Sequence, residues 1–192
     1  LCLKALLTTM HKLTGDLLNL RALEPNDLNF LYNIENNEAF WEVSNTLIPY
    51  SRYSLKQYIK NSHLDIYEAK QLRLIIENKN QQIIGIIDLF DFDPKHLRAG
   101  VGILIDLKHQ QKGYATEALK MIGNYAFSFL NLNQLYANIS IDNKNSILLF
   151  KKLKYQQTGI LKNWIFTNNK FKDVLFYQLI NPTLPSYEKS NI

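Results

Sequence analysis

The sequence predicts a single α/β domain, a mixed central sheet of about six to seven strands flanked by about four helices. Three observations carry this expectation. Apolar runs of strand length alternate along the chain with segments of 3.6-residue periodicity. The clearest helical stripe, Ala115, Ala118, Leu119, Ile122, Ala126 and Phe129, follows a long, largely apolar strand run at 98–106. The chain has 192 residues, 46% of them hydrophobic and 12% aromatic, which suffices for one core and leaves little room for a second.

Taken in order, residues 17–23 read as a first strand. Glu24-Pro25-Asn26-Asp27 then reads as a turn, with Asp27 placed to cap a helix bearing Leu28, Leu31, Tyr32 and Ile34. Residues 36–49 are polar and aromatic without a period and read as a loop. Ser51 opens a second helix, with Leu55, Tyr58 and Ile59 on one face. Strands follow at 72–77, 83–92 and 98–106. After the helix that begins at Gly113 come a strand at 134–141 and a helix at about 143–153. Two closing strands, at about 158–166 and 171–180, flank Asn168-Asn169, a pair able to take positive φ in a tight hairpin turn. The domain is expected to span 17–181. Residues 1–16 read as an N-terminal extension outside the core, with Met10 as an alternative start, and 182–192 as a C-terminal tail.

Composition narrows the function. The formal net charge of +5 favours anionic partners, but no run of five basic residues and no RRM-like or KH-like pattern accompanies it, which argues against nucleic acid. The one cysteine, Cys2, excludes an internal disulfide framework, and neither a CxxC pair nor an HExxH run is available to hold zinc. No apolar stretch approaches the roughly 18–20 residues of a membrane span. The expected address is the cytoplasm.

The most informative stretch is ILIDLKHQQKGYATEAL, residues 103–119. An apolar strand enters a short polar loop and then a helix opened by Gly113. Such a junction gathers unpaired backbone N–H groups at the positive end of a helix dipole, an arrangement suited to an anion. Gly113 admits a phosphate close to the backbone, and Ala115 keeps the next turn slim. The pattern Gln110-x-x-Gly113-x-Ala115 is neither a P-loop nor a dinucleotide fingerprint. A second helix start, at Asn143 and Ser146, offers two short polar side chains, which equally suit helix capping. Lys151, Lys152 and Lys154 follow as a basic cluster.

The paired segments QQKGYATEAL and DNKNSILLFKKLKY resemble the two acetyl-CoA-binding motifs of the GNAT N-acetyltransferase superfamily. The opening RALEPNDL and the closing TGILKNWIFTNNKFKDVLFYQLI extend the resemblance over residues 17–180, nearest to spermidine/diamine N-acetyltransferases and then to ribosomal-protein alanine N-acetyltransferases. The resemblance implies a GNAT-like fold and acetyl-CoA as co-substrate. It places Ile103, Leu104 and Ile105 along the pantetheine arm. Backbone amides of Gln110, Gln111, Lys112, Gly113, Tyr114, Ala115 and Thr116 would lie at the pyrophosphate. Asn143, Ser146, Phe150 and Lys152 would flank the thiol end and the remaining phosphates. The amine would attack the thioester directly, without an acyl-enzyme.

Phe150 stands where many members carry a tyrosine that protonates the departing thiolate. The catalytic acid is therefore unassigned, with Tyr155, Ser146 and Tyr114 as candidates in sequence only. Lys154-Tyr155 replaces a frequent Gly-Phe, and Ala115 a frequent glycine. Asp88 and Asp91 are unusual charges in an apolar strand. They are expected either at an exposed strand end or, with Glu35, Glu38 and Glu42, as an acidic lip for a cationic amine. His63, His96 and His109 read as surface residues, and Trp41 and Trp164 as packing residues or entrance rim. The expected function is acetyl transfer from acetyl-CoA to a primary amine, a polyamine or diamine such as spermidine. The alternatives are a ribosomal-protein or protein N-terminal acetyltransferase and an acetyl-CoA-binding regulatory protein. A homodimer or higher homo-oligomer is compatible with the final hairpin.

Overall fold

The computed structural model of the protein describes residues 13–182. Seven strands form one sheet in the order β1-β2-β3-β4-β5-β7-β6. Strands β1 (Leu18–Arg21), β2 (Leu72–Asn78), β3 (Ile83–Asp93) and β4 (Arg98–Ile105) pair in succession, each antiparallel to the one before. Helix α5 (Tyr114–Ser128) then carries the chain to β5 (Gln134–Ser140), which lies parallel to β4. Helix α6 (Lys144–Lys152) leads into the hairpin of β6 (Gln156–Thr167) and β7 (Lys170–Ile180), with β7 paired to β5. Its turn is Asn168-Asn169, with φ of 49° and 57°, the two positive values that a two-residue turn of this hand demands.

Both faces of the sheet are covered, so β2 and β3 are apolar nearly throughout. On β2 the side chains alternate: Leu74 and Ile76 enter the cluster that holds Ala118, Leu119 and Ile122 of α5, together with Ile147 and Phe150 of α6. Ile75 enters the opposite cluster, against Leu31 and Ile34 of α1 (Leu28–Glu35), Phe40 of α2 (Glu38–Ser44), and Leu55 and Ile59 of α3 (Arg52–Lys60).

The feature that creates the site is a split in the sheet. Strands β4 and β5 are paired only from Arg98↔Gln134 to Gly100↔Tyr136. Beyond that, β4 keeps its partner β3 as far as Ile105, and β5 keeps β7 as far as Ser140. One edge of each strand thus faces a wedge. At the apex, Gly100 has no side chain, and Phe90 on β3 meets Tyr136 on β5 edge-on at 6.0 Å. A Cβ on Gly100 would lie 2.3 Å from the Phe90 ring.

Three local expectations are corrected. Residues 36–49 are not all loop: α2 forms there, its start held by Asn37 accepting from the Ala39 N–H and its end by Asn45 at φ 55°. The helix is too short to show a period and buries only Phe40, so polar caps rather than an apolar stripe define it. A further one-turn helix, α4 (Ile66–Ala69), is capped by Asp65, giving six α-helices among the described residues where four were expected. Asp27 does not cap α1. Its carboxylate instead accepts from the Glu24 N–H at 2.8 Å and pairs with Arg21 at 2.8 Å, closing the turn after β1.

The boundary at residue 17 also moves. Leu13 packs on the core, Leu20 donates to the Leu13 carbonyl, and the Leu17 N–H donates to Glu117 on α5. Residues 13–16 are therefore attached to the domain. Residues 1–12 and 183–192, including Met10 and Pro185, lie outside the described residues.

The apex makes a direct prediction. Gly100→Ala should destabilise the protein by about 1–3 kcal/mol through overpacking against Phe90. The loss should shrink when Phe90→Ala is combined with it. Urea unfolding of the two single variants and the double variant measures this coupling.

Candidate active site

The wedge opens into two cavities that meet along β4. The first, of about 470 Å³, lies between β4, the start of α5 and the start of α6. The second, of about 740 Å³, lies between β3, β4 and β5, under the α2 region and the β6–β7 hairpin. Val43, Ile103, Leu104, Asn143 and Ser146 line both.

At the first cavity, Gly113 is the residue before α5, at φ 86°. A Cβ there would meet only Leu17, at 3.6 Å, so the backbone conformation, not space, calls for glycine. Helices α2, α3, α4 and α6 begin with a side chain accepting from a backbone N–H, whereas α1 and α5 do not. The first-turn N–H groups of α5 are thus left for an anion at the positive end of a 15-residue helix. The loop leading there is held by its own side chains: Asp106 accepts from the Lys108 N–H at 3.2 Å, and Gln110 Nε2 donates to the Ile105 carbonyl at 3.1 Å. Gln110 therefore braces the cradle with its side chain. A phosphate-bearing cofactor of extended shape fits this site.

At the second cavity, charge is concentrated around Arg73 on β2. Its guanidinium makes a two-pronged pair with Asp88 at 2.7 and 3.0 Å, bonds Glu35 of α1, and lies 5.3 Å from the Tyr58 ring centroid. Burial works against the Arg73 charge, but Asp88 and Glu35 outweigh it and raise its pKa. Glu42 of α2 is paired with Lys172 of β7 at 2.8 Å, and Lys172 also reaches Asp142 at 2.6 Å. The lining residues thus carry three carboxylates against one guanidinium, a balance that suits a cationic ligand.

The structure brings most of the residues singled out in the sequence to these cavities. Ile103, Leu104, Ile105, Gln110, Gln111, Gly113, Tyr114, Ala115, Thr116, Asn143 and Ser146 line the first, and Glu42, Asp88, Phe150 and Trp164 the second. Four candidates do not line either cavity. Asp91 lines neither cavity; it occupies a bulge at φ 48° and accepts from the Tyr136 hydroxyl at 3.2 Å. Lys112 is exposed and its side chain is not among those lining the first cavity, and Lys152 sits at the far end of α6 from Asn143. Tyr155 is buried with its ring edge-on to Phe150 at 4.9 Å, its hydroxyl has no hydrogen-bond partner, and burial raises its pKa. It cannot reach a reacting group. Sequence reasoning missed Arg73, Lys172 and α2, and placed His109 on the surface although it lines the first cavity. Arg73 carried a readable signal, a charge within the apolar run LRLII, the same signal that exposed Asp88.

The family model of the acetyltransferase (GNAT) domain matches residues 18–156, and the chain belongs to the GNAT acetyltransferases, which use acetyl-CoA as co-substrate. Spermidine N(1)-acetyltransferases are among its relatives. That of Vibrio cholerae is 29% identical over 160 residues, covering 82% of this chain and 89% of its own length. That of Escherichia coli K12 is 28% identical over 159 residues, covering 81% and 82%. A crystal structure of the Vibrio cholerae spermidine N-acetyltransferase with CoA and spermine superposes with a TM-score of 0.78 at 27% identity, covering 85% of this chain and 95% of that one. A dodecameric structure of a spermidine N-acetyltransferase from the same organism superposes with a TM-score of 0.73 at 29% identity, covering 85% and 94%.

Two outcomes test this geometry. Gly113→Ala forces an L-residue to positive φ and should weaken acetyl-CoA binding about tenfold by calorimetry. The hydrogen bond from Lys172 and a second from Ser140 hold the Asp142 pKa below the usual carboxylate range. The stabilisation from Asp142 is therefore present above about pH 4 and is lost as pH falls through the depressed value. Thermal melts of Lys172→Met and the unaltered protein should differ at pH 7 and converge in acid.

Proposed function

We propose that the protein is an acetyl-CoA-dependent N-acetyltransferase acting on a primary amine of a polyamine or diamine such as spermidine. The observation that carries this reading is the continuity of the two cavities at Ile103, Leu104, Asn143 and Ser146. An anion cradle lies on one side and a carboxylate-rich chamber on the other. The relatives named above support the same substrate class.

The roles follow from the positions. The uncapped N–H groups of α5 would bind the diphosphate, and the free edge of β4 at Ile103 and Leu104 would hold the pantetheine amides. Acetyl-CoA supplies an activated acetyl thioester, whose thiol has a pKa of about 8.5 and leaves readily. Glu35, Asp88 and Glu42 would draw the cationic acceptor in and orient it, with Arg73 fixing the first two. Phe150 walls the chamber and excludes water. Direct attack by the amine needs no protein nucleophile.

A second reading, acetylation of a protein N-terminus, draws on the exposed apolar rim formed by Leu47, Trp164 and Phe166 at the second cavity. A dodecameric relative supports self-association as a homodimer or higher homo-oligomer. The lone Cys2 supports a cytoplasmic setting; no helix among the described residues is long and apolar enough to cross a membrane.

Thiol release from acetyl-CoA, measured across spermidine, spermine, short diamines and Ala- or Ser-starting peptides, checks the assignment. Polyamines should give the highest kcat/KM, and Glu35→Gln should lower it for spermidine by raising KM. Turnover confined to the peptides would favour the second reading. Acetyl-CoA binding without release for any amine would sink both.

A further inference from the structure

The second cavity is bordered by a charge that the acetyl-transfer reading leaves unused, the ammonium of Lys172 on β7. Each of its three protons has a carboxylate oxygen within reach: Glu42 Oε1 and Oε2 at 2.8 and 2.9 Å, and Asp142 Oδ2 at 2.6 Å. The bond to Asp142, and then that to Glu42, raises the Lys172 pKa, so the group stays cationic. Its place in the fold sets this contact apart from an ordinary surface pair. Val174, two residues along β7 on the same face, lines the second cavity, and Glu42 lines it from α2. Helix α2 belongs to the β2–β3 side of the wedge, where Phe40 packs with Ile75 and Ile86. Strand β7 is paired to β5, on the other side. The Lys172 ammonium therefore joins the two walls of the acceptor chamber at its edge.

Chemically this group is the same as the acceptor's own. A lysine ends in a primary ammonium on an alkyl chain, as a diamine or polyamine does, and here it sits on a carboxylate that faces the chamber. The chamber's carboxylates are countered in two different ways. Glu35 and Asp88 share Arg73, whose planar guanidinium is fixed by a two-pronged pair. Glu42 is countered by a point charge on a flexible four-carbon stem, which can leave Glu42 and still keep Asp142.

We propose that Lys172 is a specificity-determining residue acting through Glu42: a tethered ammonium that competes with the acceptor's distal ammonium and so limits how far extra positive charge improves acceptor binding. The inference rests on the acetyl-transfer reading above and adds to it which acceptors are favoured. An acceptor ammonium that reaches Glu42 displaces Lys172 onto Asp142 alone. One ion pair is exchanged for another, and little is gained. Without the lysine charge, the same ammonium would meet an unpaired Glu42, with Asp142 adding to the attraction. The difference is electrostatic, grows with the number of acceptor charges and is screened by salt.

Steady-state kinetics of Lys172→Gln with acetyl-CoA and either 1,4-diaminobutane or spermine tests the role. Glutamine keeps a donor for the carboxylates and removes the charge. The KM for spermine should fall more than that for the diamine, so that their ratio shifts by about 3–10-fold toward spermine, as expected of a partly exposed ion pair. Both kcat values should change less than about threefold, and the shift should fade in about 0.5 M salt. Adding Glu42→Gln should abolish the shift, and Lys172→Arg, which keeps the charge, should retain the unaltered ratio. A ratio that moves by less than about threefold, moves toward the diamine or does not respond to salt overturns the role of Lys172 and leaves the acetyltransferase reading intact. Glu42→Gln alone tests the same exchange without altering Lys172. The KM for spermine should rise by less than about threefold, and a larger rise overturns the competition. No acetylation of either amine by the unaltered protein overturns the polyamine reading and this role together.

Discussion

Strands β4 and β5 share ladder bonds at three residue pairs and then part, and every element of the site takes its position from that divergence. Leaving strand edges unpaired inside a domain is costly unless other partners satisfy the backbone groups. Each strand limits the cost by keeping its other neighbour, β3 for β4 and β7 for β5. The apex is closed by packing: without a side chain at Gly100, Phe90 reaches across to Tyr136, and Tyr136 stacks on Phe176 at 5.4 Å. This aromatic row spans β3, β5 and β7, so the sheet stays continuous beneath the gap.

The two sides of the wedge then acquire opposite electrical character by different means. On the cofactor side the positive field comes from backbone: an uncapped helix start, opened by a glycine, with a loop braced by Asp106 and Gln110. Fixed dipoles of this kind need no reorganisation when an anion arrives. On the acceptor side the field comes from side chains, and it is moderated. Arg73 holds Glu35 and Asp88 in place, and Lys172 ties Glu42 to Asp142, joining α2 to β7 and to the loop before α6. Carboxylates clustered without cations would repel one another and favour protonation. Paired with Arg73 and Lys172, they are held in place at the cavity wall.

Much of this was legible in the chain. The strand-loop-helix junction at 103–119 combines an apolar run, a polar loop, glycine and a long stripe, all local signals, and the structure keeps them in place. The Asn168-Asn169 turn was equally local. What escaped was held by contacts distant in sequence. Helix α2 has one buried side chain and depends on caps at Asn37 and Asn45, so no periodicity announced it. The paired Asp88 and Asp91 looked equivalent, yet a bulge after Phe90 sends one into the chamber and the other to the surface. Tyr155 was a candidate by residue type, and burial against Phe150 removes its hydroxyl from both cavities.

The sequence by itself determined the order of elements, the helix start that can hold an anion, and the absence of a hydroxyl at position 150, because each depends on residue type within a few positions along the chain. Only the tertiary structure decided where the sheet splits and which carboxylates line the second cavity. Those are relations between strands and helices tens of residues apart. They are fixed by packing against Phe90 and Tyr136 and by ion pairs such as Arg73 with Glu35, where no local propensity operates.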